Sequence, residues 1–143
     1  MNKLMLAIMC SLIIALVGFQ VISPSGKALT IDATIDIDPD TLNLNRKGNW
    51  ITGYIELPEG YNVSDIDPES ILLDDLFRIA WSNREDNALM VKFDAERVIE
   101  YLWDRLLHMG GQRAHLDLTI KGQLEDKTQF IGMDTITVMI QGS

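Results

Sequence analysis

The stretch Leu89-Met90-Val91-Lys92-Phe93-Asp94-Ala95-Glu96-Arg97-Val98-Ile99-Glu100-Tyr101-Leu102-Trp103-Asp104-Arg105-Leu106-Leu107 carries two hydrophobic periods in succession. Leu89, Val91 and Phe93 alternate with Met90 and Lys92, the two-residue period of a strand with one buried face. From Asp94 the period lengthens. Val98, Ile99, Leu102, Trp103, Leu106 and Leu107 recur at the spacing of one helix face. Asp94 suits the N-cap, Glu96 the first turn, Arg105 and His108 the last turn, and Gly110-Gly111 the stop. Alternation returns at once, with Leu116, Leu118 and Ile120 set against His115, Asp117, Thr119 and Lys121. The helix over 94–107 is therefore an insertion between strands.

The flanking sequence reads as strands and turns. Leu29 to Asp38 alternates strictly, with Ile31, Ala33, Ile35 and Ile37 on one face and four polar residues on the other, and Pro39 ends it. Leu42 and Leu44 mark a second short strand, and Arg46 to Asn49 a turn. Trp50 to Leu57 places Ile51, Ile55 and Leu57 opposite Trp50, Thr52, Tyr54 and Glu56, with Pro58-Glu59-Gly60 as its stop. Ser64 to Ser70 reads as a single helical turn, capped by Ser64 or Asp65 and limited by Pro68. Ile71 to Leu73 is a strand and Asp74-Asp75 a turn. Phe77, Ile79 and Trp81 form one alternating run, Ser82 to Asn87 a polar hairpin loop, Gln123 to Lys127 a turn, and Phe130 to Gln141 the last strand. These elements predict a mainly β domain over 29–143. Its fold class is an antiparallel, immunoglobulin-like β-sandwich of about seven to eight strands, whose helix crosses between sheets or covers an open end of the core.

Residues 1–28 are a different kind of polymer. After Lys3, the 19 residues from Leu4 to Ile22 carry no charge, and Ser23-Pro24-Ser25-Gly26-Lys27-Ala28 is small and polar. That order is a secretory signal peptide, or an N-terminal membrane anchor if it stays uncleaved. Either way, the chain is expected outside the cytoplasm, secreted or at the cell surface. The one cysteine, Cys10, lies in this segment, and Met9 before it rules out a lipoprotein signal. The remaining domain has no thiol for a disulfide, a thiolate zinc site or a cysteine nucleophile.

The whole chain has a formal charge of −9, from 12 basic and 21 acidic side chains. Lys3 and Lys27 belong to the leader, so the domain carries 10 basic against 21 acidic groups, a charge of −11. Such a surface repels a phosphate backbone, which excludes nucleic acid as a partner. Between Asp32 and Asp75 there are 11 acidic residues against Arg46 and Lys47 alone. The reading adopted is a solvated surface that also guards a strand edge. The alternative is a calcium site drawn from Asp36, Asp38 and Asp40, or from Asp65 and Asp67, although none of these has the spacing of an EF-hand.

Catalytic groups are scarce. His108 and His115 have no histidine partner at metal-ligand spacing, no serine lies in a nucleophile elbow, and no glycine-rich loop cradles phosphate. The expectation is a protein that is not an enzyme and has no cofactor, with calcium as the alternative. Trp50 and Tyr54 share the outward face of one strand and are the candidate ligand platform, able to stack a sugar ring. The reading preferred is structural: outward aromatics of a sandwich pack under a loop or beneath the crossover helix, where Tyr101 and Trp103 supply the packing.

Three stretches in this order resemble a module of secreted and cell-surface proteins of archaea and bacteria: Ile35 to Leu44 with Lys47 to Pro58, Asp65 to Ile71, and Leu89 to Asp94. The resemblance implies an exported β-sandwich, often an accessory domain of larger exported chains, and implies no activity. Similar sequences are rich in Asp and Gly before Leu-Met-Val-Lys-Phe, like a calcium loop. Here Ser82-Asn83-Arg84-Glu85-Asp86-Asn87 has Arg84 in its middle and no glycine, which speaks against such a site. The functional expectation is an exported, non-catalytic structural or protein-interaction subunit of the cell envelope, with a calcium- or carbohydrate-binding accessory or adhesion module as the alternative. N-terminal sequencing of the protein from its native host is expected to find a chain outside the cytoplasm that starts near residue 29. A start at Met1 on a membrane-bound chain identifies the anchor form, and a soluble cytoplasmic chain starting at Met1 contradicts export.

Overall fold

The computed structural model describes residues 28–141. The apolar stretch Leu4 to Ile22 lies outside the described residues; among the described residues, no helix is long and apolar enough to cross a membrane. Ten strands and one long helix follow in the order β1 (Thr30–Asp32), β2 (Thr34–Asp38), β3 (Thr41–Asn43), β4 (Trp50–Glu56), β5 (Leu72–Leu73), β6 (Phe77–Arg78), β7 (Trp81–Glu85), β8 (Ala88–Asp94), α1 (Ala95–His108), β9 (Arg113–Gln123) and β10 (Gln129–Met139). They form two sheets. One runs β1-β10-β9-β5-β6, with β3 also on β10; the other runs β2-β4-β8-β7. The mainly β, two-sheet architecture with one inserted helix agrees with the sequence reading.

The inner faces form one core. Ile51, Ile55, Val91 and Phe93 of the four-stranded sheet are buried, as are Leu118, Ile120, Phe130 and Ile136 of the larger one. The sheets meet directly at Gly53, where a Cβ would lie 2.7 Å from Ile120 Cδ1 and 3.2 Å from Val91 Cγ2. The missing side chain at this inward position of β4 is the space that the Ile120 side chain occupies.

Several predicted elements divide where the chain changes sheets. Leu29 to Asp38 is not one strand: β1 pairs in parallel with β10, and β2 pairs antiparallel with β4. β3 then returns to β10, again in parallel. Phe77 to Trp81 likewise divides between β6 and β7, which lie in different sheets. Ser82 to Glu85 is strand and not loop, because β7 pairs with β8 from Trp81 through Glu85 and leaves only Asp86-Asn87 as the turn. These divisions raise the strand count to ten. The segment before β5 holds two short 3₁₀ turns, Val63–Asp65 and Pro68–Ser70. Their caps are Asn62 and Asp67 and not Ser64 or Asp65, because Pro68 cannot donate and forces a fresh start after Asp67.

Helix α1 follows the sequence reading closely. The Asp94 carboxylate accepts from the Glu96 N–H at 2.9 Å, and Gly110 takes a φ of +72 just past the end. Val98, Leu102 and Leu106 are fully buried. The helix links β8 in one sheet to β9 in the other, which makes it the predicted crossover. Leu102→Ala should therefore leave a cavity and lower stability by about 2–5 kcal/mol. The check is the denaturant midpoint, and an unchanged midpoint would mark the Val98–Leu102–Leu106 stripe as surface.

Candidate functional site

The outer face of the β2-β4-β8-β7 sheet is built by alternation. In β4 the inward positions are Ile51, Gly53 and Ile55, so Trp50, Thr52, Tyr54 and Glu56 project outward. Register then fixes their neighbours. Asp94 lies opposite Trp50, Lys92 opposite Thr52 and Met90 opposite Tyr54 on β8, while Asp36 lies opposite Tyr54 and Asp38 opposite Thr52 on β2. On the far strand Trp81 lies opposite Lys92. Trp50 and Trp81 are each 46% exposed, and Tyr54 is half-buried. The Lys92 ammonium sits 5.1 Å from the centre of the Trp81 ring, a cation–π contact within the face.

Trp50 and Tyr54 thus share the outward face of β4, where alternation places them, and neither ring stacks on Tyr101 or Trp103 of the helix. Tyr101 packs edge-on against Phe77 at 5.4 Å, the one ring–ring contact among the described residues. Trp81 completes the face and was missed by sequence reasoning. Its alternation with Phe77 and Ile79 places it inward, but inward parity reverses at the change of sheet. Leu73 and Phe77 pair in one sheet, whereas Ser82 and Arg84 take the inward positions opposite Val91 and Leu89 in the other. The available signal was the polar run Ser82 to Glu85, which has no apolar residue to turn inward.

The acidic candidates are spread out. Asp36 and Asp38 line the β2 edge of the face, and Asp40 is exposed beyond it. The Asp65 carbonyl accepts from the Glu125 N–H, while the Asp67 carboxylate is taken up in capping Glu69. Among the described residues, no three His, Cys, Asp or Glu side chains gather where they could hold a metal ion. Arg84 lies within β7, so the segment compared with a calcium loop has only its two-residue turn free of strand pairing. His108 Nδ1 lies 2.8 Å from the Asp104 carbonyl, and His115 Nδ1 lies 3.1 Å from the Thr137 hydroxyl.

A second polar cluster fixes the frame behind this face. Asp74 and Asp75 adopt φ of 47 and 61, a left-handed turn that short polar side chains tolerate. That turn aims the Asp74 carboxylate inward, where its side chain is 11% exposed. One oxygen accepts from the Thr119 N–H at 2.8 Å; the other accepts from the Tyr101 hydroxyl at 3.0 Å and from Arg105 at 3.1 Å. The β5–β6 turn, β9 and α1 are thereby tied at one carboxylate. From the sequence, Asp74 was legible only as a turn residue. Burial pushes the Tyr101 hydroxyl above its usual pKa, and the Asp74 hydrogen bond and charge add to the rise, opposed in part by Arg105.

Compared with family models, curated proteins and solved structures, the chain finds no match.

Because Tyr101 holds its proton more tightly when folded, its contribution to stability is present below the unfolded pKa near 10 and is lost as pH rises through the folded value. A tyrosinate absorbance titration should show one of the tyrosines ionising above the usual range. In Asp74→Asn that step should move down, since the negative charge beside the hydroxyl is gone. A titration indifferent to Asp74→Asn would contradict the coupling.

Proposed function

We propose that the chain is an exported, non-catalytic module of the cell envelope, an immunoglobulin-like β-sandwich that serves as a structural or protein-interaction subunit. The observation that carries this reading is the exposed pair Trp50 and Trp81 on a sheet face bordered by Asp36, Asp38 and Asp94. Large aromatic rings held on rigid strands at low entropy cost are the usual anchors of protein interfaces. Solvation alone gives no reason to keep two half-exposed tryptophans on one face. Export is supported by the uncharged stretch Leu4 to Ile22 and by the resemblance to envelope modules.

A carbohydrate-binding accessory or adhesion module is the second reading, and the same feature favours it. The half-exposed Trp50 ring is available for stacking, and Asp94 opposite it keeps the carboxylate oxygen that does not cap Glu96 as a hydrogen-bond acceptor.

Binding of the purified domain to envelope fractions of the native host tests both readings. Trp50→Ala with Trp81→Ala should weaken binding by roughly 2 kcal/mol or more, about thirtyfold, with the melting temperature of the domain unchanged. Protease treatment of the envelope abolishes binding if the partner is a protein; periodate treatment does so if it is a glycan. Full binding by the double variant removes the face from both readings.

A further inference from the structure

Among the chain's seven asparagines, Asn62 alone is followed two positions later by a serine or threonine with a residue other than proline between, in Asn62-Val63-Ser64. We propose that Asn62 is an N-glycosylation site, carrying a saccharide on Nδ2. The inference rests on the proposed export of the chain, because the saccharide donor and its transferase act on chains that leave the cytoplasm.

The local geometry presents one atom and occupies the other. The Ser64 N–H donates to Asn62 Oδ1 at 2.9 Å, and the Ser64 hydroxyl donates to the same oxygen at 2.8 Å. A backbone N–H can only donate, so the atom facing it must be the amide oxygen. That settles the orientation of the amide and turns Nδ2 away from the turn, where it has no hydrogen-bond partner among the described residues. Asn62 is exposed and Val63 is buried. The valine anchors the segment in the core while the asparagine on one side projects into solvent. Capping the 3₁₀ turn accounts for the oxygen, and an aspartate or serine would cap equally well. Capping requires neither the amide nitrogen nor the hydroxyl at position 64.

The surroundings leave room for a sugar. Asn62 lies on the wall of an open concavity of about 410 Å³ that is also lined by Pro58, Glu59, Tyr61 and Asp86. Its walls supply the half-buried Tyr61 ring and three carboxylates, from Glu56, Glu59 and Asp86, groups suited to stacking on a sugar and accepting from its hydroxyls. The concavity includes the β7–β8 turn at Asp86-Asn87, and its walls include none of Trp50, Tyr54 or Trp81.

The chemistry is a group transfer from a lipid-diphosphate-linked saccharide. Nδ2 forms a bond to the anomeric carbon, and the bond from that carbon to the diphosphate oxygen breaks. The bonding pair leaves with the lipid diphosphate, and an Nδ2 proton passes to a base of the transferase. No oxidation or reduction takes place.

The test is peptide mapping by mass spectrometry of the protein recovered from its native host. Cleavage after Lys47 and Arg78 releases Gly48–Arg78, in which Asn49 and Asn62 are the asparagines. The expected result is a peptide heavier by one or more sugar residues, with fragmentation placing them on Asn62. Ser64→Ala should abolish the addition with Asn62 intact, and Ser64→Thr should preserve it. Asn62→Asp should keep the cap and the melting temperature while losing the sugar. An exported chain, processed or anchored, with an unmodified peptide overturns the site and leaves export standing. An unmodified cytoplasmic chain overturns both. A sugar on Asn62 that persists in Ser64→Ala overturns the role given to the serine.

Discussion

The segment from Thr30 to Asn43 pairs with one sheet, crosses to the other and returns, and the sandwich depends on the closeness this crossing demands. β1 and β3 both lie along β10 while β2, between them, belongs to the facing sheet. Where the chain leaves β10, the Ala33 N–H still donates to the Ile131 carbonyl at 2.8 Å. A side chain on Gly132 would drive into Ile35 and the Ala33 carbonyl, so only glycine lets the two backbones pass. Two residues on, the Asp134 carboxylate reaches across and accepts from the Ile37 N–H at 2.7 Å. This bond occupies a donor on the outer edge of β2 that would otherwise be open to another chain.

Once that edge is joined, the remaining packing follows from the inner faces. Gly53 admits Ile120 between the sheets, and Val98, Leu102 and Leu106 of the crossover helix join the same core. The helix is held from outside by Asp74, which gathers Thr119, Tyr101 and Arg105. A buried carboxylate is stable only with its acceptor sites filled, and here three donors from two elements fill them. With the inner face of β4 fixed in this way, its outer face is fixed as well. Trp50 and Tyr54 therefore lie on the side of β4 turned away from the core.

Much of the domain was legible residue by residue. The two-residue period marked β2, β4, β8, β9 and β10, and the change to a helical period at Asp94 located α1 together with its cap. Trp50 and Tyr54 were assigned to one outward face for the same reason. The caps at Asn62 and Asp67 differ from the expected Ser64 or Asp65 because the segment forms two turns and not one: the first starts before Ser64, and the second restarts at Pro68. The role of Asp74 had no local signal, since its partners lie 27, 31 and 45 residues away.

The sequence by itself determined which residues turn inward within each uninterrupted strand, because side-chain alternation is a local property of the backbone. It also determined the helix, its cap and its stop, which depend on neighbours within one or two turns. Only the tertiary structure decided where a strand leaves one sheet for the other, since both halves of Leu29 to Asp38 carry the same alternation. The same holds for the fate of Trp81. Parity along the chain places it with Phe77, and the bend between two sheets reverses that parity, bringing the ring to the outer face beside Lys92. A change of sheet is set by which distant strand supplies the hydrogen bonds, and that information lies in β8 and β10, not in the segment that bends.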